Sequence, residues 1–145
     1  MVIEPLSSIE DALPFLVECG LPVSDITLLA PPSFFGIRLG GTLVGVVGLE
    51  TYPPFGLLRS LAVAPTFRSS GIGHKLVAFV ESQAAARDIN ELFLLTTTAE
   101  NFFLELGYSS ASRVSAPPVI QGTSQFSGLC PSSSAFLCKH VGAAC

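Results

Sequence analysis

Two segments of the chain repeat their apolar residues with the period of a helix. The first is predicted to form a helix over residues 7–20, because three apolar residues fall on one face of it: Leu13, Leu16 and Val17. The second is predicted over Gly71 to Arg87, with its apolar face formed by Ile72, Leu76, Phe79 and Val80. Both helices therefore have one side suited to packing against a sheet.

Other apolar runs lack that period and predict buried strands. Runs over residues 34–39 and 42–49 flank Gly40-Gly41, which is the pattern of a two-residue hairpin. The prolines of residues 52–56 indicate a loop. Further strands are predicted over residues 57–63, 91–96 and 134–140, and shorter helices over 98–106 and 117–126. The stretch 21–29 is ambiguous, although Ser24-Asp25 is a candidate helix start.

The order of these elements predicts an α/β fold with a mixed sheet. A local hairpin is followed by a strand, a helix and another strand, which is the pattern of a βαβ crossover. With 145 residues and no internal repeat, we expect a single domain over residues 1–145.

Composition narrows the class of protein. Hydrophobic residues make up 49% and charged residues 12%, so disorder is excluded for most of the chain. Mean hydropathy is +0.61, but the longest apolar stretch is far shorter than the roughly 20 residues of a membrane span. The net charge of −4 argues against nucleic-acid binding, and the four cysteines lack zinc-site spacing. We expect a cytoplasmic protein without metal, membrane or nucleic-acid partners.

One strand–loop–helix segment has the features of an anion site. The strand over residues 57–63 leads through Arg68, Ser69 and Ser70 to Gly71 and Gly73, where the second helix begins. Unpaired N–H groups and the helix dipole at such a start bind pyrophosphate groups. The alternative is a tight strand-to-helix turn, which a bare Gly-x-Gly fits equally well. Neither a Walker loop nor a Rossmann fingerprint fits, because His74 and Leu76 stand at the deciding positions.

Three segments of the chain match short motifs of one known family. Arg68-x-x-Gly71-x-Gly73 matches the pattern [QR]xxGx[GA], and Leu61-Ala62-Val63-x-Pro65 matches the strand and loop before it. Ala99 to Tyr108 is similar to a third pattern, A-x-x-F-Y-x-x-x-G-[FY]. The chain thereby resembles the GCN5-related N-acetyltransferases. Within them it is similar to small members grouped with arsenic resistance and to amino-acid acetyltransferases.

The resemblance implies a fold and a cofactor. The fold is a mixed, mostly antiparallel sheet with a splayed central strand pair and flanking helices. The cofactor is acetyl-CoA. Leu61, Ala62 and Val63 would hold its acetyl and pantetheine arm, and Asn101 and Phe102 would line the other side. The pyrophosphate would lie on residues Arg68, Ser69, Ser70, Gly71, Ile72 and Gly73.

The catalytic groups are less well defined by the sequence. Glu50 ends a strand where such enzymes often place a general base, and the alternative is an ordinary strand-end carboxylate. Phe103 stands where family members often have a tyrosine acid, so the general acid is not identified. Arg59 and Thr97 are candidate substrate contacts, with a structural arginine and helix capping by Thr98 as the alternatives.

The predicted function is acetyl transfer from acetyl-CoA to the amine of a small, amino-acid-like molecule by direct attack. Two alternatives stay open: a non-catalytic acyl-CoA-binding module, and a protein N-acetyltransferase. The segment from Arg113 to Cys138 is expected to cover one wall of the acceptor cleft. A homodimer is also compatible with so apolar a chain.

Overall fold

The computed structural model describes residues 2–6, 9–21, 23–24, 32–129 and 134–142. Three sequence-based features lie outside these residues: the Ser7-Ser8 helix start, a helix start at Asp25, and the cysteines Cys130 and Cys145. The chain forms two compact units, which are described in turn. Unit 1 comprises Met1–Glu50 and Leu58–Gln83, and unit 2 comprises Thr51–Leu57 and Ala84–Cys145. The single domain expected over residues 1–145 stays a prediction.

Unit 1 is built on an antiparallel set of strands. The strands that enter it are β1 (Ile3–Pro5), β2 (Ser33–Leu39), β3 (Thr42–Tyr52) and β4 (Phe55–Val63). The β2–β3 turn is formed by Gly40 and Gly41, whose φ angles are 57° and 80°. Two consecutive left-handed residues make the turn type that matches strand twist, so the predicted Gly-Gly hairpin is confirmed.

In the described residues, one whole helix and most of a second one belong to unit 1. Helix α1 (Ile9–Glu18) is followed by Gly20 in the left-handed conformation, as predicted for its end. Helix α2 (Ile72–Ala86) follows β4, also as predicted. Gly45 brings α2 close to β3, because a Cβ there would lie 2.9 Å from atoms of both Ile72 and Leu76. The core between α1 and the strands comprises Ala12, Leu16, Phe34, Val46 and Ala62.

Unit 2 includes the first three residues of β4. Phe55, Gly56 and Leu57 pair in parallel with the first three residues of β5 (Glu91–Thr96). Strand β5 then pairs antiparallel with the last strand of the chain, which pairs with a two-residue strand. The elements of this unit are β5 (Glu91–Thr96), α3 (Glu100–Glu105), β6 (Ser109–Ser110), α4 (Pro118–Gln121) and β7 (Ala135–His140).

The core of unit 2 is aromatic. Phe93 and Phe136 stack with ring centroids 5.4 Å apart, and Phe126 meets Phe136 edge-on at 5.2 Å. Ala116 and Ile120 of the α4 segment pack on the same cluster. The segment after β6 therefore covers one face of the β5–β7 pair.

The seven strands are hydrogen-bonded in the order β1-β2-β3-β4-β5-β7-β6. The β4–β5 pair is parallel, and the β1–β2, β2–β3, β5–β7 and β6–β7 pairs are antiparallel. This arrangement confirms the predicted mixed, mostly antiparallel sheet with flanking helices. Within the described residues, no helix is long and apolar enough to cross a membrane.

Three details differ from the sequence-based expectations. The loop over residues 52–56 is reduced to Pro53-Pro54, because Tyr52 extends β3 and Phe55 begins β4. Helix α3 is shorter than residues 98–106, and no helix continues from α4 to Phe126, where a separate turn covers Gln125–Leu129. Strands β1 and β6 were not predicted, since two or three residues show no periodicity of their own.

Candidate functional site: a strand–loop–helix anion site and a buried ion pair

The loop between β4 and α2 changes direction twice before the helix begins. A short 3₁₀ turn covers Pro65–Phe67. Ser69 and Gly71 then adopt left-handed φ angles of 65° and 87°. The helical ladder starts where the N–H of Lys75 donates to Gly71 O at 3.1 Å. The N–H groups before Lys75 thus lie ahead of the first helical hydrogen bond.

This helix start is open to solvent. Arg68, Ser69 and Ser70 are exposed, and a Cβ placed on Gly71 would meet nothing within 4 Å. The Ser70 hydroxyl donates to Phe67 O, which fixes the loop against the 3₁₀ turn. A fifteen-residue helix adds positive potential at this end. The arrangement has the backbone donors, the space and the cation that a pyrophosphate requires.

Arg68 is held close to the end of the strand. Its Nε donates to Val63 O at 3.1 Å. The guanidinium also approaches the thiol of Cys19. Burial raises the pKa of that thiol, and the Arg68 charge partly offsets the rise. The charge of Arg68 is therefore positioned at the loop, while the neighbouring thiol stays protonated at neutral pH.

The three residues predicted to carry the pantetheine arm follow a left-handed residue within β4. Ser60 has a φ of 57°, which is rare for a residue other than glycine. After it, Ala62 packs into the core of unit 1 and Leu61 and Val63 are half-buried. The N–H of Ala64 donates to Val44 O at 2.8 Å. The end of the strand is thus anchored to β3.

Glu50 and Arg59 form a buried ion pair. Arg59 Nη1 lies 2.9 Å from Glu50 Oε2, with side-chain exposures of 1% and 13%. Arg59 Nε also donates to the Ser60 hydroxyl at 3.1 Å. Sequence analysis named both residues but missed that they pair. Glu50 lies three residues before the turn at Pro53-Pro54 and Arg59 lies five residues after it, so the two side chains can meet diagonally across the β3–β4 hairpin.

Gly48 makes room for this ion pair. A Cβ there would lie 2.9 Å from the Phe34 ring, 3.1 Å from Arg59 Cγ and 3.2 Å from Arg59 O. Because neither the Phe34 ring nor the Arg59 carbonyl can move away at low energetic cost, Gly48→Ala should displace Arg59.

We expect Gly48→Ala to lower the free energy of unfolding by about 1–3 kcal/mol, measured by urea denaturation. Gly122→Ala is the matched control, because its Cβ would meet neighbours at an ordinary 3.6 Å. Equal stability of the two variants would contradict the tight fit at Gly48.

In unit 2, α3 carries the other residues predicted to contact the cofactor. Asn101 is exposed and Phe102 is half-buried against Phe103, with centroids 5.1 Å apart. Phe103 is 4% exposed and meets the 3% exposed Tyr108 edge-on. Tyr108 is therefore part of a buried aromatic cluster with Phe103.

The end of β5 differs from one expectation. The Thr96 hydroxyl accepts the N–H of Ala99 at 3.0 Å, whereas α3 has no side-chain cap from Thr98. The suggested capping by Thr98 is wrong, because the side chain that accepts a hydrogen bond at this turn is that of Thr96. Thr97 is exposed at the strand end, and its predicted substrate role stays a prediction.

Two histidines and a second cysteine, Cys138, are further side chains with chemistry of their own. His74 and His140 are exposed. Burial raises the pKa of the Cys138 thiol, with a smaller contribution from Glu91. Across the described ranges, no group of three His, Cys, Asp or Glu side chains is arranged to hold a metal ion.

Known proteins are similar to this chain in sequence and in architecture. The model of the acetyltransferase (GNAT) family matches residues 6–108. An amino-acid acetyltransferase of Ralstonia nicotianae is 35% identical over 82 residues, 55% of this chain and 18% of that protein. The uncharacterized N-acetyltransferase CT2212 of Chlorobaculum tepidum is 33% identical over 88 residues, 60% of this chain and 56% of that protein.

A solved structure has the same fold. The N-acetylglutamate synthase of Neisseria gonorrhoeae, complexed with coenzyme A and N-acetyl-glutamate, superposes with a TM-score of 0.77. It is 22% identical, and the match covers 97% of this chain and 35% of that one. The chain spans about an eighth to about half of the length of the curated relatives it matches.

Proposed function

The chain belongs to the acetyltransferase (GNAT) family, and from this premise we propose that it transfers acetyl from acetyl-CoA to the amine of a small, amino-acid-like molecule. The observation that carries the proposal is the open helix start after β4, with Gly71 at a φ of 87°. Amino-acid acetyltransferases among the relatives support the class of acceptor. A cytoplasmic location and a homodimer stay predictions.

Each part of the cofactor has a proposed binding segment. The pyrophosphate lies on the backbone of residues 68–73, with Arg68 supplying charge and Ser69 and Ser70 supplying hydroxyls. Leu61, Ala62 and Val63 offer backbone groups to the pantetheine and acetyl arm. Asn101 and Phe102 keep their predicted role of lining the pantetheine. The bound acetyl-CoA supplies an activated thioester.

Glu50 is our proposed general base. An amine acceptor is mostly protonated at neutral pH, so a proton must leave before the nitrogen can attack the thioester carbon. Arg59 holds the Glu50 carboxylate at 2.9 Å and keeps it in one position. The Arg59 guanidinium is buried and paired with Glu50, so positioning the Glu50 carboxylate suits Arg59 better than contacting the acceptor does. A direct contact from Arg59 to the acceptor stays an untested prediction.

The leaving thiolate needs a proton from a group other than Phe103. Phenylalanine has no hydroxyl, and Phe103 packs between Phe102 and Tyr108. This observation favours one second candidate, a module of the same fold that binds an acyl-CoA without turning it over. Transfer assays separate the two, since both candidates bind the cofactor.

Cofactor binding is tested by thermal stability. Acetyl-CoA at about 100 times its Kd should add about 2.7 kcal/mol to the free energy of unfolding and raise Tm accordingly. NAD and ATP should raise Tm far less, because the loop lacks their fingerprints. Calorimetry that detects no acetyl-CoA binding near millimolar concentration would overturn the proposed cofactor.

The acceptor is tested by release of the CoA thiol. A panel of amino acids, with their phosphorus and arsenic analogues, should contain at least one molecule that stimulates release above the rate without acceptor. Binding of acetyl-CoA with no stimulation by any amine would favour the non-catalytic module.

A further inference from the structure

Ser134 carries a buried hydroxyl without a partner. The residue lies directly before β7 and is 5% exposed. Among the residues that the structure describes, Ser134 Oγ is the one buried side-chain polar atom without a hydrogen-bond partner. An unpaired buried hydroxyl costs about 1–3 kcal/mol, so its retention requires an explanation.

The guanidinium of Arg113 lies against the same residue. Its Nη2 donates to Ser134 O at 2.6 Å. The Phe126 ring supports it from one side, with Arg113 Cζ 5.6 Å from the ring centroid. Phe126 is itself fixed edge-on against Phe136. Within the described residues this is the hydrogen bond that the guanidinium donates, so its Nε, its Nη1 and the second hydrogen of Nη2 keep donor capacity.

Both residues lie at the end of the strand pair where the acceptor side of the unit is expected. Thr96 is opposite Ala135 in the β5–β7 register, so Ser134 lies beside the exposed Thr97. Helix α3, with Asn101, begins a few residues beyond Thr97. Arg113, Ser134 and Thr97 therefore belong to one polar end of unit 2.

Three other cationic side chains have partners elsewhere in the described structure. Arg59 is buried with Glu50, and Arg38 pairs with two acids, Glu4 and Asp11. Lys139 Nζ donates to Leu106 O at 2.9 Å and lies over the Tyr108 ring. Arg113, by contrast, is partly exposed and is supported by the Phe126 ring, and part of its guanidinium has no hydrogen-bond acceptor among the described residues.

We propose that Arg113 and Ser134 bind the carboxylate of the acceptor amino acid. The planar guanidinium presents paired donors that match a carboxylate, and the Ser134 hydroxyl supplies a further donor. The inference rests on the proposed function and deepens it, because it assigns the acceptor a carboxylate beside its amine. It predicts that an amino acid is acetylated in preference to the same amine without its carboxylate.

The test compares matched acceptors. Thiol release is measured for L-amino acids and for the corresponding decarboxylated amines, with wild type, Arg113→Met and Arg113→Lys. Arg113→Met should raise KM for the amino acid at least about tenfold and leave KM for the amine unchanged. Arg113→Lys should fall between, since a point charge replaces the paired donors. Arg38→Met, which removes a partly exposed arginine of unit 1 that pairs with Glu4 and Asp11, should leave both KM values unchanged.

Ser134→Ala separates a binding role from a merely structural one. If the hydroxyl were simply buried, its removal would leave KM unchanged and keep or raise Tm. As a donor to the acceptor, it should raise KM for the amino acid severalfold with no loss of Tm. This variant also keeps the test valid if Arg113→Met does not fold.

The outcomes distinguish this inference from the proposed function. Transfer to amines with no preference for a carboxylate, or equal effects of Arg113→Met on both acceptors, would overturn the subsite and leave the acetyltransferase function standing. An unchanged KM in Ser134→Ala would remove Ser134 from it. If no amine is acetylated at all, both proposals are wrong.

Discussion

Glu50→Gln is expected to lower kcat about 10²-fold while the affinity for CoA stays unchanged. The substitution keeps the shape of the side chain and removes its ability to accept a proton from the acceptor amine. The low-pH limb of the rate profile should also move. Steady-state kinetics across pH, with CoA binding by calorimetry, measure both parts of the expectation.

The ion pair with Arg59 gives this variant a second effect, on stability. Removing one partner of a buried pair costs up to about 3–5 kcal/mol, and the partial exposure of Glu50 places the expected cost below that range. Kinetics must therefore be run well below the Tm of the variant. Glu4→Gln is the matched control, because Glu4 pairs with Arg38 at 3.2 Å on the surface.

Glu4→Gln should change kcat and stability little. A kcat for Glu50→Gln within a factor of a few of wild type would instead make Glu50 a structural strand-end carboxylate. A wild-type rate that simply follows ionisation of the acceptor amine would point the same way. In both cases the enzyme would work mainly by holding the amine against the thioester.

Gly71→Val is expected to lower the affinity for CoA at least about tenfold, or roughly 1.4 kcal/mol. A branched side chain at the helix start would stand where the pyrophosphate approaches the backbone. The position has open space around it in the structure, so the fold should persist apart from the strain of a left-handed valine.

Gly41→Val controls for that strain. Gly41 has a φ of 80° against 87° for Gly71, and a Cβ at either position meets nothing within 4 Å. The two variants should lose similar stability, while Gly71→Val alone loses CoA affinity in titration calorimetry. If folded Gly71→Val binds CoA as well as wild type, the pyrophosphate is bound elsewhere.

The long elements of the fold were predictable because each is encoded locally. The residues of α2 show a helical period over fifteen positions, and the Gly40-Gly41 turn separates two apolar runs. The strands β1 and β6 were not predictable, because their extended shape depends on the strands beside them. The hydrogen bond from the Ala99 N–H to the Thr96 hydroxyl was also missed, since it depends on how the chain turns after β5.

The same contrast applies to the site. The segment from Leu61 to Gly73 is contiguous, so its pattern could be recognised in the sequence alone. The Glu50–Arg59 pair forms across a hairpin, and sequence analysis could name its members but not their contact. Arg113 and Ser134 lie 21 residues apart and meet through the packing of α4 on the strands. Acceptor recognition is therefore the part that required the structure.

Direct N-acetylation of the acceptor is tested most directly by following a labelled acetyl group. Acetyl-CoA labelled in its acetyl carbon is incubated with the protein and the best amino-acid acceptor of the panel. The label should appear on the amine nitrogen of the amino acid, as seen by mass spectrometry and NMR, and none should remain on the protein when the acceptor is left out. Label that stays on the protein, or that appears only as free acetate, would contradict direct transfer to an amine.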